Sequence, residues 1–294
     1  MAKLYHETPR HVLLVSMAHG TKNPFFHGCC VYAHEKEELY ITSGLLQTTI
    51  ASRLPIIIIS QLKLKRKNDL PWETLESFSW SKLRPPPNMP MPAGACRYND
   101  GIVYCAQGIP KPGTGGIYYM PAGRPPELLV SSYFGREFNS VQDVTASPDG
   151  VLWFVDSDRG FQNDIKPPPQ LPNTVYRYNP ELGDLRAMTH DINNPLGIAI
   201  SHNDNTLYVS DYGARKSDGK LEITRYTGIF AFDIVQKSGS QFLCNKRLFA
   251  SPLKGAAYRL YVDGQRNVLA TCEDGVEVWG PDGTLLGVLQ VPGT

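Results

Sequence analysis

The residues suited to acid–base, nucleophilic or metal chemistry are scattered along the chain, and each local cluster lacks part of the motif it resembles. His34-Glu35 opens like a zinc-binding helix, but Glu38 stands where the second histidine belongs. Asp156-Ser157-Asp158-Arg159-Gly160 has the acidic spacing that starts a calcium loop and lacks its remainder and closing glutamate, so it reads as a turn capping a strand. No Gly-x-Ser-x-Gly elbow occurs. Gly113-Thr114-Gly115-Gly116 precedes a strand pattern rather than a helix, which suits a flexible loop and not a phosphate cradle. Lys63-Leu64-Lys65-Arg66-Lys67 alternates like a strand with one wet face and reads as a solvated sheet edge rather than a polyanion site. The six cysteines (29, 30, 96, 105, 244 and 272) form no Cys-x-x-Cys pair, and four lie in apolar runs. They read as free thiols in a reducing compartment.

The charge balance narrows the partners. Lys plus Arg number 29 against 28 Asp plus Glu, so no global field draws the chain to nucleic acid or an anionic membrane. A small or neutral partner is expected. The first 21 residues mix His, Glu, Pro and Arg with apolar residues, unlike a secretory signal, and no Asn-x-Ser/Thr sequon is present. A cytoplasmic location is expected. The longest apolar run, Leu54 to Ile59, falls far short of the ~20 residues of a membrane helix and reads as a buried strand.

The elements that must position any site are strands. Twenty-six glycines and 24 prolines punctuate apolar runs of four to six residues. One hairpin recurs five times: Cys30–Tyr32 with Leu39–Ile41, Ala95–Tyr98 with Ile102–Tyr104, Asp143–Ala146 with Leu152–Val155, Gly197–Ile200 with Leu207–Val209, and Leu260–Val262 with Val268–Ala270. Asn99-Asp100-Gly101, Pro148-Asp149-Gly150 and Asp263-Gly264 are expected to supply the positive φ angles of their turns. Further strands start at Gly116, Thr174, Gly228 and Gly275, so two hairpins make each four-stranded sheet. The repeat of about 50 to 60 residues, beside roughly 40 to 50 for ordinary blades, predicts an all-β propeller with long inserted loops in one domain, residues 1–294. Internal repetition argues against a β-sandwich. The Pro-rich stretches 84–92 and 166–172 read as connections or rim loops.

Three stretches carry a family resemblance: Asn139–Val144 followed by Ser147–Asp156, Asn194–Ala199 with Thr206–Asp211, and Asp274–Thr284. They resemble the senescence marker protein/gluconolactonase/luciferin-regenerating-enzyme family of six-bladed propellers, and His27–Ser43 resembles the first blade of its fungal lactonohydrolase branch. Five blades are recognisable, the fifth ending at Leu285–Val291. The resemblance implies a truncated version or a ring of five closed by the strand His11–Met17.

Lactonases of that family hold one divalent metal on the propeller axis, and the resemblance places its four ligand positions at Gly28, Gln142, Leu196 and Ala256. Three of these offer no side-chain oxygen, and one amide cannot supply the oxygen set a hard cation needs. Neither metal nor another cofactor is expected. The resemblance further implies an axial mouth lined by Phe25, Phe26, His27, Leu196 and Tyr258, with Arg159, Phe161, Tyr212 and Arg215 on neighbouring loops. Within it His27, Gln142, Tyr258 and Arg159 are the expected catalytic donors, and Phe25, Phe26, Leu196, Phe161, Tyr212 and Arg215 the expected contacts of a small hydrophobic substrate. The fungal branch includes hetero-Diels-Alderases that join a quinone methide, derived from a tropolone or phenol, to a terpene. A metal-independent cyclase of that type is the function the resemblance implies here. Two alternatives stand beside it: a metal-dependent lactonase using Asp143, Asp156 and Asp211, and a non-catalytic propeller that binds a small molecule.

Overall fold

A computed structural model describes residues 25–47, 54–66, 75–201, 205–213 and 227–290. The fold is all-β, five four-stranded antiparallel blades of a β-propeller, with one four-residue α-helix among the described residues. The chain divides into two compact units, Met1–Pro85 and Pro86–Thr294. The expected strand His11–Met17 lies outside the described residues.

The first unit holds one blade: β1 (Cys30–Ala33), β2 (Glu38–Thr42), β3 (Ile59–Arg66) and β4 (Leu75–Leu83), paired in that order. The basic run is not an edge. β3 pairs with both β2 and β4. Its alternation buries Leu62 while Lys63, Lys65 and Arg66 reach Glu38, Glu76 and Glu37. Lys63–Glu38 and Lys65–Glu76 are therefore pairs of opposite charge across neighbouring strands, while Arg66 meets Glu37 in the turn before β2.

The second unit holds four blades. They are β5 to β8 (Pro92–Tyr98, Gly101–Ala106, Gly116–Met120, Glu127–Val130), β11 to β14 (Val141–Ala146, Leu152–Asp156, Thr174–Asn179, Asp184–Thr189), β15 to β18 (Pro195–Ser201, Thr206–Asp211, Gly228–Lys237, Ser240–Ala250) and β19 to β22 (Leu260–Val262, Val268–Cys272, Gly275–Trp279, Leu285–Leu289). A two-residue hairpin, β9 (Ser132–Tyr133) with β10 (Arg136–Glu137), precedes the second of these blades, and α1 (Arg159–Gln162) follows β12.

The apolar runs are continuous because the second strand of a blade is buried on both faces. On β12, Leu152 and Phe154 join Val103, Ile117 and Tyr176 in one cluster, while Trp153 and Val155 join Ile198, Leu207 and Phe232 in the next. Tyr208 and Ala231 repeat the arrangement against Leu260, Ala270 and Trp279. Neighbouring blades of this unit thus share cores instead of each owning one. Burying such a side chain contributes about 1.5–3 kcal/mol.

The hairpin turns use positive φ where expected at Asn99 (49°) and Gly150 (79°). In the last blade the expectation at Asp263-Gly264 is corrected: the positive φ falls on Arg266, at 68°. The Asp263 carboxylate accepts from the backbone N–H groups of Gln265 and Asn267, which organises a longer turn and moves the left-handed residue along it. No helix among the described residues is long and apolar enough to cross a membrane.

Candidate functional site

The second unit gathers its polar chemistry at the starts of its innermost strands, β5, β11, β15 and β19. Three of them begin with an irregular register, between Pro92 and Ala95, Val141 and Asp143, and Pro195 and Ile198. Gln142 and Leu196 sit inside these bulges, which re-aim side chains that regular pleating would fix.

The turns into two of the strands are held by buried carboxylates. Asp156, at the end of β12, accepts from Asn139 N (2.9 Å) and Ser140 N (2.6 Å). Asp211, at the end of β16, does the same for Asn193 and Asn194 N and also takes Gly213 N. Asp143 pairs with Arg259 (Nη1 to Oδ1, 3.3 Å) and accepts from Ile198 N. The Arg259 guanidinium also donates to the carbonyls of Gln142 (2.8 Å) and Leu196 (3.3 Å), stitching three inner strands together. The three aspartates are thus committed to backbone and arginine, and the geometry does not gather them into one metal-binding set. Among the described residues, the side chains close enough to share a cation are Cys272, Asp274 and Glu277, in the β20–β21 hairpin. Two oxygens of Glu277 already accept from Leu253 N and Trp279 Nε1.

The aromatic wall is compact. Leu196, Tyr212 and Ala256 are buried together with Tyr258 against them. The two tyrosine rings lie 5.2 Å apart and their hydroxyls 3.1 Å apart, while the Arg159 guanidinium sits 4.6 Å over the Tyr212 ring. Phe161, two residues further along α1, is exposed. Arg215 lies outside the described residues.

The polar wall joins Gln107, Ser140 and Gln142, all buried. Gln142 Nε2 donates to Ser140 Oγ (2.7 Å), Ser140 O (2.9 Å) and Gln107 Oε1 (3.3 Å). Lys166 completes it, though its place in a Pro-rich stretch gave no sign of this. α1 links the two walls: a Cβ on Gly160 would come within 2.8 Å of Lys166 Cγ and 2.9 Å of Ser140 Oγ, while Arg159 beside it covers Tyr212.

In the first unit, Phe25 is buried with Leu46 and Ile58, and both Phe25 and Phe26 pack on Trp80 of β4. The Lys82 ammonium lies 3.9 Å from the Phe25 ring centre. His27 is exposed, its backbone N–H bonded to Thr42 O.

The donor set does not fit the divalent metal that the family resemblance implies. Leu196 and Ala256 belong to the apolar cluster, and Gln142 is engaged as a donor. At Gly28 even a Cβ would meet Thr42 Oγ1 at 2.0 Å, so the position is closed to the glutamate of the relatives as the strands now stand.

Comparison with known proteins places this geometry in a lineage. The chain is 31% identical over 197 residues to lactonohydrolase oryL of Aspergillus oryzae, covering 64% of this chain and 41% of that protein. It is 28% identical over 214 residues to a gluconolactonase of Zymomonas mobilis, covering 68% and 57%. It therefore spans about half the length of these curated relatives. Among solved structures, a gluconolactonase from Xanthomonas campestris superposes with a TM-score of 0.62 at 24% identity, over 91% of this chain and 76% of that one. The calcium-binding protein regucalcin from Agrobacterium tumefaciens superposes at 0.60 with 13% identity, over 92% and 76%. Residues 89–294 match the family described as the SMP-30/Gluconolactonase/LRE-like region, and the chain belongs to that family.

Proposed function

We propose that this chain is an enzyme of secondary metabolism that closes a ring on an apolar natural product without a metal, by a hetero-Diels–Alder addition of a tropolone- or phenol-derived quinone methide to a terpene. The observation that carries the reading is the cluster of Leu196, Ala256, Tyr212 and Tyr258, apolar side chains and a paired hydroxyl where metal-dependent relatives are expected to place oxygen ligands. Such a cycloaddition asks little covalent help from a protein. Holding diene and alkene in contact, with one face presented, provides most of the rate. On this reading Tyr258, whose hydroxyl pairs with that of Tyr212, and Arg159 polarise the quinone methide oxygen, as electrostatic stabilisation of developing charge requires.

Hydrolysis of a lactone is the second reading, favoured by the likeness to a lactonohydrolase and a gluconolactonase. The two are separated by incubating the purified chain with a quinone-methide precursor and humulene, and separately with glucono-lactone. Enantioenriched adduct with no lactone opening above the buffer rate supports ring closure. Racemic adduct at the uncatalysed rate, with enzymatic lactone opening, overturns it.

A further inference from the structure

Lys166 is 8% exposed and lies wholly within the second unit. Its Nζ occupies the space that a Cβ on Gly108 (3.1 Å) or Gly115 (3.5 Å) would enter, and its stem runs against Gly160 and Ser140. Long cationic side chains bury the stem and keep the head accessible, so what the ammonium faces decides its use. Two carboxylates are near enough to act on it electrostatically, Glu137 and Asp156. Both are engaged elsewhere: Glu137 Oε1 accepts from Gly113 N, and the Asp156 oxygens take Asn139 and Ser140 N. No hydrogen bond or ion pair to Lys166 Nζ is found among the described residues, and Nζ is not one of the fully buried atoms, so the head of this buried side chain keeps an open side.

Gln107 repeats the pattern. It is 6% exposed, and its Oε1 accepts from Ser140 Oγ and Gln142 Nε2, which leaves the Nε2 group of the same amide with no acceptor among the described residues. Two unspent donors, one charged, thus stand on one wall beside Ser140. Both donors keep an open side although the side chains that carry them are buried, so the wall presents an ammonium and an amide N–H to a molecule that enters beside it.

We propose that Lys166 Nζ and Gln107 Nε2 form a receptor for a negatively charged oxygen, a carboxylate or an enolate, on the molecule that this end of the blades binds. The ammonium supplies the charge-assisted hydrogen bond and the amide the second, while Ser140 and Gln142 fix the amide's orientation. Burial also pushes the Lys166 ammonium below the ordinary lysine range, the direction expected of a cation whose counter-charge is not yet in place. The inference rests on reading the inner-strand starts as the substrate site, and not on ring closure.

The test uses the full chain and two isosteric probes, benzoate and benzamide, titrated by calorimetry. Benzoate is expected to bind one per chain and at least ten times more tightly than benzamide. Lys166→Met is expected to cost benzoate at least tenfold and leave benzamide unchanged. Gln107→Glu, which places a carboxylate beside the ammonium without changing size, is expected to do the same. Circular-dichroism melts confirm that each variant is folded. Equal affinity for the two probes, undiminished benzoate binding by both folded variants, or no saturation with benzoate by about 10 mM each overturns the receptor. A chain that binds benzoate through Lys166 yet closes no ring retains this inference and loses the ring-closing one.

Discussion

The hydroxyls of Tyr212 and Tyr258 meet at 3.1 Å across 46 residues of sequence. Tyr212 follows β16 and Tyr258 precedes β19, so the pair closes the space between two blades of the second unit at the level where Leu196 and Ala256 are buried. Either oxygen can be the donor, so the pair meets a hydroxyl's need for a partner within the wall. That is a reasonable way to keep a polar handle in an apolar wall.

Loss of one hydroxyl should therefore cost more than packing. Tyr212→Phe and Tyr258→Phe are each expected to lower stability by about 0.5–1.5 kcal/mol, with the double variant costing less than the sum. Denaturant unfolding of the three variants measures the coupling. Tyr258→Ala opens space as well, and is expected to relax the stereochemistry of the adduct, read by chiral chromatography.

Arg259 binds Asp143 and two inner-strand carbonyls at once. Burial pushes the Asp143 carboxyl up, against the opposing pull of this guanidinium. Arg259→Met leaves a buried carboxylate without its counter-charge, at an expected cost of about 3–5 kcal/mol. Asp143→Asn with Arg259→Met should recover part of that loss. A cost below about 1 kcal/mol for Arg259→Met would show that the pair is solvated and structurally incidental.

The purified chain is expected to carry no stoichiometric divalent metal and to keep its activity in EDTA, because Gly28, Leu196 and Ala256 cannot ligate. Gly28→Glu should not restore a site. Its Cβ meets Thr42 Oγ1, so the strands must shift, at a cost of about 1–3 kcal/mol. Elemental analysis and unfolding curves with and without calcium decide it; one tightly held calcium or zinc per chain contradicts the expectation.

Much of the fold was legible because burial of second strands such as β12 and β16 on both faces writes itself as repeated apolar runs with turn residues between them. The strand pairs at Ala95–Tyr98 with Ile102–Tyr104 and at Leu260–Val262 with Val268–Ala270 stand where the repeats put them. The turn at Asp263 was misread because an aspartate that caps backbone N–H groups looks, in sequence, like one that occupies the left-handed position itself. The site was legible only in part. Family motifs point to Gln142 and Leu196, in the bulges at the starts of β11 and β15, and to Tyr258, just before β19, whereas Tyr212 follows the second strand β16. Arg259, however, acts on Gln142 across 117 residues, and Lys166 hides in a Pro-rich connection. Neither position carries a periodic or motif signal, since what makes each of them special is the set of partners that tertiary packing brings or withholds.

Lys166 also makes a prediction about stability. Burial lowers its affinity for a proton, while Glu137 and Asp156, the carboxylates that act on it, partly oppose this. Between the lowered folded value and the ordinary value of about 10.4, the unfolded chain holds more protons, so stability rises with pH across that window. Lys166→Met lacks this contribution and should be more stable than the parent at neutral pH, with the gap narrowing as pH rises toward 10. Asp156 works in the same direction. Its carboxyl is pushed up to about 7 by burial, and losing the nearby cation pushes it higher still, which favours the variant most at the lower pH values. Paired unfolding curves from pH 7 upward give the gap, and a gap constant with pH removes the argument that the ammonium is desolvated.

Leu196 offers the sharpest test of what this wall is for. It is 4% exposed, packs with Tyr212, Ala256 and Tyr258, and stands where the family resemblance places an asparagine. If the wall receives an apolar substrate, Leu196→Asn puts an amide against carbon; within its cluster the tyrosine hydroxyls are the polar side-chain groups, and engaging those would break the Tyr212–Tyr258 pair. Either outcome costs about 1–3 kcal/mol, which is roughly 5- to 150-fold in transition-state binding. Leu196→Met keeps volume and polarity and should stay within a few-fold of the parent, separating chemistry from packing. The measurement is kcat/KM and adduct stereochemistry for parent, Asn and Met variants, with the uncatalysed mixture as reference and melts to confirm folding. Wild-type rate and stereochemistry in a folded Leu196→Asn would show that the substrate does not touch this wall, and the assignment of the ring-closing site to the inner-strand starts would fall with it.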